Sequence, residues 1–387
     1  MNVALTKTPA ETVYGLSLPH RRMEDWRWTD LRKLIDRPYP PRQRVDTNAR
    51  DIERLINASP FAAVAATRMV FVNGQHVSGL ANGDNASRIV NDEPVLRMNY
   101  AFATDGARLT LTGNIDTPIE LLFIATNAGE RTIATRNVIE VAAGASATII
   151  ETHLGEGGYL ANSVTEIILG AGARLDRVKV EHDSEDALHL SHAHVTLGRG
   201  AILRDFTLTS GARVNRQNGT YVFGGQGADA KIAGAYLLAG KQHCDTRLVV
   251  DHAVPHCISR ELFKCVMDDH ARGIFQGKVM VRKDAQKTDG KQSSHALLLS
   301  ETAEFDAKPE LEIFADDVVC GHGATSGDLN RDHLFYLRSR GIPEAEAKSL
   351  LISAFVGEAF ETIAHDGLRE ALEAYAETWL TAHRRMV

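Results

Sequence analysis

The sequence predicts a mainly β protein: a parallel β-solenoid at residues 61–327, between one helical region at 1–60 and another at 328–387. Three observations point there. From about Arg68 to Val319 the chain is a succession of short β-branched runs punctuated by Gly and Asn. Gly-Ala pairs recur at 144–145, 172–173, 200–201 and 227–228, at offsets of 28, 28 and 27 residues, and a fixed period of about 20–50 residues marks a stacked repeat. Aromatic residues make up only 6%, so the core must rest on Val, Ile, Leu and Ala, which suits thin strands. A β-sandwich with 31 glycines could repeat such pairs by chance; the constant spacing favours the solenoid. Glycine suits a corner with positive φ, and alanine suits the crowded inner side of a coil.

The elements follow in order. Met23 to Leu31 reads as helical, and Pro38, Pro40 and Pro41 stop any helix after it. Asp51 to Ile56 reads as a second short helix. Met69 to Val72 is a strand, and Asn73-Gly74 a tight turn. Val138–Val141, Thr148–Ile150 and Arg177–Val180 are further strands. After Asp328, Asn330 to Arg340 predicts a helix capped at Gly341. Pro343 opens the next helix, with Leu351, Phe355 and Ala359 at helical spacing. Leu368, Leu372, Tyr375 and Trp379 mark a third. These helices must bury their apolar stripes on one another, on the solenoid or on a partner.

Composition bounds the function. Lys plus Arg number 43 against 50 for Asp plus Glu, a formal charge of −7, which argues against nucleic acid as a partner. The first residues, MNVALTKTPAETVYGL, have no apolar signal core, and no run of about 18 apolar residues occurs, so neither a signal peptide nor a membrane span is expected. The four cysteines, Cys244, Cys257, Cys265 and Cys320, form no Cys-x-x-Cys pair and no disulfide framework. Free thiols fit a cytoplasmic protein.

Few motifs carry chemistry. Gly273-Ile274-Phe275-Gln276-Gly277-Lys278-Val279 approaches a phosphate loop, but it has three residues between its glycines and Val where Ser or Thr belongs. Neither ATP hydrolysis nor dinucleotide binding is expected. In the run Leu188–Val195, His192 and His194 would share a strand face, yet no nearby Glu completes a metal site, so polar histidines on the solenoid surface are expected. His243-Cys244 and His256-Cys257 alternate faces, and these thiols, with Cys265, read as packed. The strongest local signal is Cys320-Gly321-His322-Gly323-Ala324. A thiolate and an imidazole two residues apart can face one metal or sulfur centre. Two ligands are too few where about four are wanted; either a partner chain supplies the others or the motif is a structural corner. On spacing alone the corner is the simpler reading.

The residues then carry a resemblance. VPHCISRELFKCVMDDHARGIFQGKVMVRKDAQKTDGKQSSHALLLSETAEFDAKPELEIFADDVVCGHGATSG, residues 254–327, resembles the core of the scaffold family of the SUF iron–sulfur assembly system, the SufB/SufD family. Leu334 to Ile342 continues it, and EDWRWTDLRKL near the N-terminus is similar to the opening of the SufD branch. The SufB branch, the close rival, is longer and richer in cysteine, so the SufD branch is the better match. Cys265 stands where the family would have glycine.

The resemblance implies a right-handed parallel β-helix with helical ends. It implies a non-enzymatic scaffold subunit paired with a SufB-like chain through the solenoid ends, with a SufC-like ABC-type ATPase on the C-terminal helices. ATP hydrolysis would belong to that partner. Cys320 and His322 match the family's Cys-x-His-Gly-Ala motif and would be ligands of a transient iron–sulfur cluster shared with the partner, with no cofactor stably bound by the chain alone. Phe335, Tyr336, Leu337, Arg338 and Arg340 would dock the ATPase. A homodimer is the alternative assembly for the isolated chain. The rival from the enzyme class is an exported β-helix carbohydrate lyase or hydrolase, which the missing signal peptide and carboxylate pair disfavour.

Overall fold

The computed structural model describes residues 7–42, 48–80 and 93–383; the first six residues of the N-terminal stretch lie outside these. The helical elements before the strands are α1 (Pro9–Tyr14), a 3₁₀ turn (Glu24–Trp26), α2 (Leu31–Leu34) and α3 (Ala49–Ala58). A hairpin of β1 (Thr67–Val72) and β2 (Gln75–Gly79) follows, then α4 (Pro94–Phe102), β3 (Arg108–Leu111), β4 (Ile119–Ala125) and β5 (Thr132–Val141). The coils continue with β6 (Ser146–Gly155), β7 (Leu160–Leu169), β8 (Arg174–His182), β9 (Leu188–Leu197), β10 (Ile202–Thr209), β11 (Val214–Phe223) and β12 (Asp229–Leu238). They end with β13 (His243–His252), β14 (Ile258–Met267), β15 (Arg272–Val281), β16 (Asp289–Leu298), β17 (Glu304–Ile313) and β18 (Val319–Gly327), before α5 (Arg331–Ser339), α6 (Glu344–Phe360) and α7 (Asp366–Ala382).

The expected solenoid is there, with about 8 turns. Each turn contributes one strand to each of two sheets, one ordered β18-β16-β14-β12-β10-β8-β6-β4-β1-β2 and the other β17-β15-β13-β11-β9-β7-β5-β3. All pairings are parallel except the β1–β2 hairpin, whose turn residues Asn73 and Gly74 both have positive φ. The visible repeat has a structural cause. Gly144, Gly172, Gly200 and Gly227 take φ of 70°, 65°, 62° and 71° at the corner before β6, β8, β10 and β12. The following alanine, 145, 173, 201 or 228, is buried in the core between the sheets.

Alternation fixes which residues line that core. Leu175, Leu203, Ala230, Phe263 and Ala296 point inward, while Val178, Val180, Phe206 and Leu208 point outward and are covered by Ile352, Val356, Phe360, Leu368 and Leu372 of α6 and α7. The C-terminal helices thus bury their stripe along the flank of the larger sheet. The stripe on α6 is centred on Ile352, Val356, Ala359 and Phe360, one residue on from the expected Leu351 and Phe355, which are only partly covered. On α7 Leu368, Leu372 and Trp379 are buried as expected, and Tyr375 reaches Ser210 and His182 through its hydroxyl. Burial of such stripes at roughly 25 cal/mol per Å² is what holds a helix on a sheet.

One expected element is different. Met23 to Leu31 is not a continuous helix: only Glu24–Trp26 forms a 3₁₀ turn, and helix resumes at Leu31. The backbone is diverted to the smaller sheet. The Asp25 carbonyl accepts from the Arg216 guanidinium at 2.9 Å, that guanidinium lies over the Trp26 ring at 4.4 Å, and the Thr29 hydroxyl donates to Asp245. The segment is a strap across the outer face of β11, β13 and β15.

Candidate functional site

The inner face of the larger sheet carries two registered rows that end on β18. One runs Ser259–Gly290–Cys320 and the other Ile232–Glu261–Gln292–His322. In a parallel sheet, register partners share a face, so Cys320 and His322 stand on the inner side of the last coil. Nothing stacks beyond them among the described residues: β18 and β17 are the terminal strands of their sheets. Cys320 is partly covered and packs against the core, His322 is exposed, and Phe314 and Val319 at the same end are each 63% exposed.

Gly290 leaves the Cys320 thiol an open side. A Cβ on Gly290 would meet Ser259 Oγ at 3.4 Å and Cys320 Sγ at 3.6 Å. Burial pushes the Cys320 thiol up from its usual range, although a backbone hydrogen bond at Gly290 opposes this. The shift favours the protonated thiol, which must give up its proton to a base or on binding a metal before it serves as nucleophile or ligand. Among the described residues no group of three or more His, Cys, Asp or Glu is placed to hold a metal ion. Cys320 and His322 therefore bring two donors, not a complete site.

Behind them lies a feature that the sequence reading passed over. Glu261 is 2% exposed, and its Oε2 accepts from Gln292 Nε2 at 2.6 Å. Burial drives its carboxyl up to about 7, only partly offset by Gln292 and Ser259. Glu261 Oε1 and Gln292 Oε1 have no hydrogen-bond partner. The available signal was alternation: Glu261, Phe263 and Cys265 are spaced by two in a strand, and the latter two are apolar residues of the core.

The other singled-out residues fall as follows. In α5 no residue is buried; Phe335 is 74% and Tyr336 55% exposed, Leu337 is half-buried, Arg338 pairs with Glu344 at 3.1 Å, and Arg340 lies over the Tyr336 ring at 5.1 Å. Cys244, Cys257 and Cys265 are buried thiols, as expected. The phosphate-loop approach is simply β15, with Gly273 and Gly277 facing the core.

The histidine run departs from expectation in part: His192 and His194 share the outer face of β9, and His194 is half-buried there. His189 is wholly buried inside the solenoid, its Nδ1 2.7 Å from Asp183 and its Nε2 3.0 Å from Ser163, and His192 is buried too. The coils here have a polar interior that demands partners: Arg177 bridges Glu151 at 2.7 Å and Asp205 at 2.9 Å, and Lys179 pairs with Glu181. Composition does not reveal such a network, because Arg177 is matched across neighbouring coils and Lys179 by an acid on the same inward face of its own strand.

Comparison with known proteins finds relatives over most of the chain. Residues 123–355 match the family described as SUF system FeS cluster assembly, SufBD core domain. The iron–sulfur cluster assembly protein SufD of Escherichia coli is 30% identical over 92% of this chain and 88% of its own length. Iron–sulfur cluster assembly SufBD family proteins of Synechocystis (30% identical, 92% of this chain, 86% of theirs) and Mycobacterium tuberculosis (31%, 94% and 90%) are similar over the same extent. No helix among the described residues is long and apolar enough to cross a membrane.

Proposed function

This chain belongs to the SufBD family of iron–sulfur cluster assembly proteins, and we propose that it works there as a SufD-type scaffold subunit. On this reading it performs no ATP hydrolysis or other bond-making chemistry alone. Its last coil joins the corresponding end of a SufB-like chain, and a nascent cluster forms there between Cys320, His322 and ligands from the partner. A SufC-like ATPase docks on α5 through Phe335, Tyr336, Leu337, Arg338 and Arg340.

The observation that carries this reading is the contrast between covered and uncovered surfaces. The flank of the larger sheet is closed by α6 and α7, and the smaller sheet is crossed by the N-terminal strap. The edges of β17 and β18 stay open, and an open parallel edge offers a row of unpaired N–H and C=O groups to another strand. The only thiol not fully buried, Cys320, lies at that edge. A soft thiolate and an imidazole suit iron–sulfur species, and an incomplete ligand set suits a site shared between chains. Co-expression with SufB-like and SufC-like chains, followed by affinity purification and mass measurement, tests the assembly. Recovery of this chain free of both would count against it.

A further inference from the structure

The carboxylates inside the coils follow a rule with one exception. Glu151 and Asp205 meet Arg177, Glu181 meets Lys179, and Asp183 meets His189. Glu261 occupies the same inner face, yet among the described residues no Arg, Lys or His pairs with it; only the Gln292 amide, at 2.6 Å, and the Ser259 hydroxyl stabilise its charge. A buried carboxylate without a counter-cation is costly, and it is relieved by uptake of a proton, a paired charge or a bound metal.

The surroundings are built for oxygen donors. Gln292 is 1% exposed, and its side chain crosses the interior to the opposite sheet, where Gly277 makes room for it. It donates Nε2 to Glu261 Oε2, which leaves Glu261 Oε1 and Gln292 Oε1 without partners. Both oxygens belong to the row that ends at exposed His322 on the open coil. Carboxylate and amide oxygens suit a divalent cation of the hard-to-borderline class, whereas thiolate and imidazole suit it once sulfur is bound.

We propose that Glu261 and Gln292 form an oxygen-donor site for ferrous ion, one strand inboard of His322, which receives iron before it joins the nascent cluster. The inference rests on the reading of this end as the assembly site, because that reading supplies the iron. The cation takes the place that Arg177 or Lys179 fills for the carboxylates deeper in the solenoid. Gln292 orients Glu261, and Glu261 contributes the charge.

The test is anaerobic competition for Fe²⁺ between the full chain and a chromogenic chelator, for wild type, Glu261→Gln and Cys320→Ser. One ferrous ion should bind to wild type, its affinity should fall at least tenfold in Glu261→Gln, and Cys320→Ser should stay within about threefold of wild type. Should Glu261→Gln not fold, Gln292→Met removes the other free oxygen at similar volume and should weaken binding likewise. Equal affinity in wild type and the oxygen-site variant, or no stoichiometric binding by wild type, overturns the proposal. The assembly-site reading is judged separately, on cluster content of the Cys320→Ser complex. Loss of cluster there with equal Fe²⁺ affinity in Glu261→Gln would remove the oxygen site and leave that reading standing.

Discussion

Gly277 and Gln292 face each other across the inside of the solenoid so closely that a Cβ on Gly277 would stand 2.5 Å from Gln292 Cδ and nearer still to its amide nitrogen. A methyl group there would push the buried amide off Glu261, so the glycine and the polar pair depend on each other. Gly277→Ala should cost about 1–3 kcal/mol, the range for overpacking plus a lost buried hydrogen bond. Repeating the substitution in a Gln292→Ala background should recover about 1 kcal/mol or more of that loss. Additive effects in denaturant titrations would show that the two residues are not coupled.

The raised carboxyl of Glu261 makes a signed prediction about pH in the metal-free chain. Its value lies at about 7 in the folded protein against an ordinary 4.5, so the folded state holds the proton more tightly than the unfolded state. Stability should therefore decline as pH rises from 4.5 through 7. Glu261→Gln should abolish that contribution and gain about 3 kcal/mol at pH 8, with little change at pH 4.5. Unfolding curves at pH 4.5, 6 and 8 check it. A gain equal at all three values would mean that the carboxyl does not titrate in this window.

The opposite sign applies to Glu181. Burial works to raise its carboxyl, but Lys179, His189 and His153 outweigh it and hold the group down to about 2. The stability that it contributes is complete above 4.5 and is lost as pH falls toward 2. Lys179→Met removes the nearest cation from that carboxylate, leaving His189 at 3.6 Å and the amides of Asn215 and Gln217, and should cost about 3 kcal/mol at pH 7, the lower end of the penalty for breaking a buried pair. Thermal unfolding at pH 7 measures it, and a loss under 1 kcal/mol would mean that water reaches the interior there.

Much of the fold was legible because the corners repeat, and the reason the repeat fades is equally specific. At the corner before β14 the positive φ belongs to His256 (63°) and before β16 to Lys287 (62°), where earlier coils have glycine. The corner N–H bonds the carbonyl of the next coil in the same way whether or not it belongs to glycine: Gly144 to Ala171, Gly172 to Arg199, His256 to Gln286 and Lys287 to Asp317. The alanine after the corner becomes Cys257 and then Thr288, both buried. Geometry outlasts the composition that announced it, and Cys257 packs where the earlier coils have alanine. Of the candidate site, Cys320 and His322 were singled out through the resemblance, since on spacing alone a structural corner is the simpler reading. Glu261 and Gln292 were not, since an unpaired acid inside a coil looks in sequence like any acid in a strand. The failed helix at 23–31 shows the same limit, as the Asp25 carbonyl is claimed by Arg216, 191 residues away.

The exposed rings of α5 allow a separation of docking from folding. Phe335 and Tyr336 bury little in the isolated chain, so Phe335→Ala with Tyr336→Ala should change stability by no more than about 0.5 kcal/mol. Aromatic anchors in an interface typically carry about 2 kcal/mol or more each, so capture of a SufC-like ATPase should weaken at least about 30-fold. Titration calorimetry with the purified ATPase reads this out. Unchanged affinity would move the docking surface off α5.

The central claim is that the open coil holds a cluster site completed by another chain, and cluster content of the assembled complex tests it most directly. Complexes with SufB-like and SufC-like partners should be purified anaerobically with wild type, Cys320→Ser and His322→Ala, then compared for iron, labile sulfide and visible absorption. The account predicts intact assembly for both variants, because Cys320 and His322 are not needed for the fold, together with a severalfold loss of iron and sulfide. Normal assembly with normal cluster content in both variants would contradict it and leave Cys320-Gly321-His322 as a structural corner of the last coil.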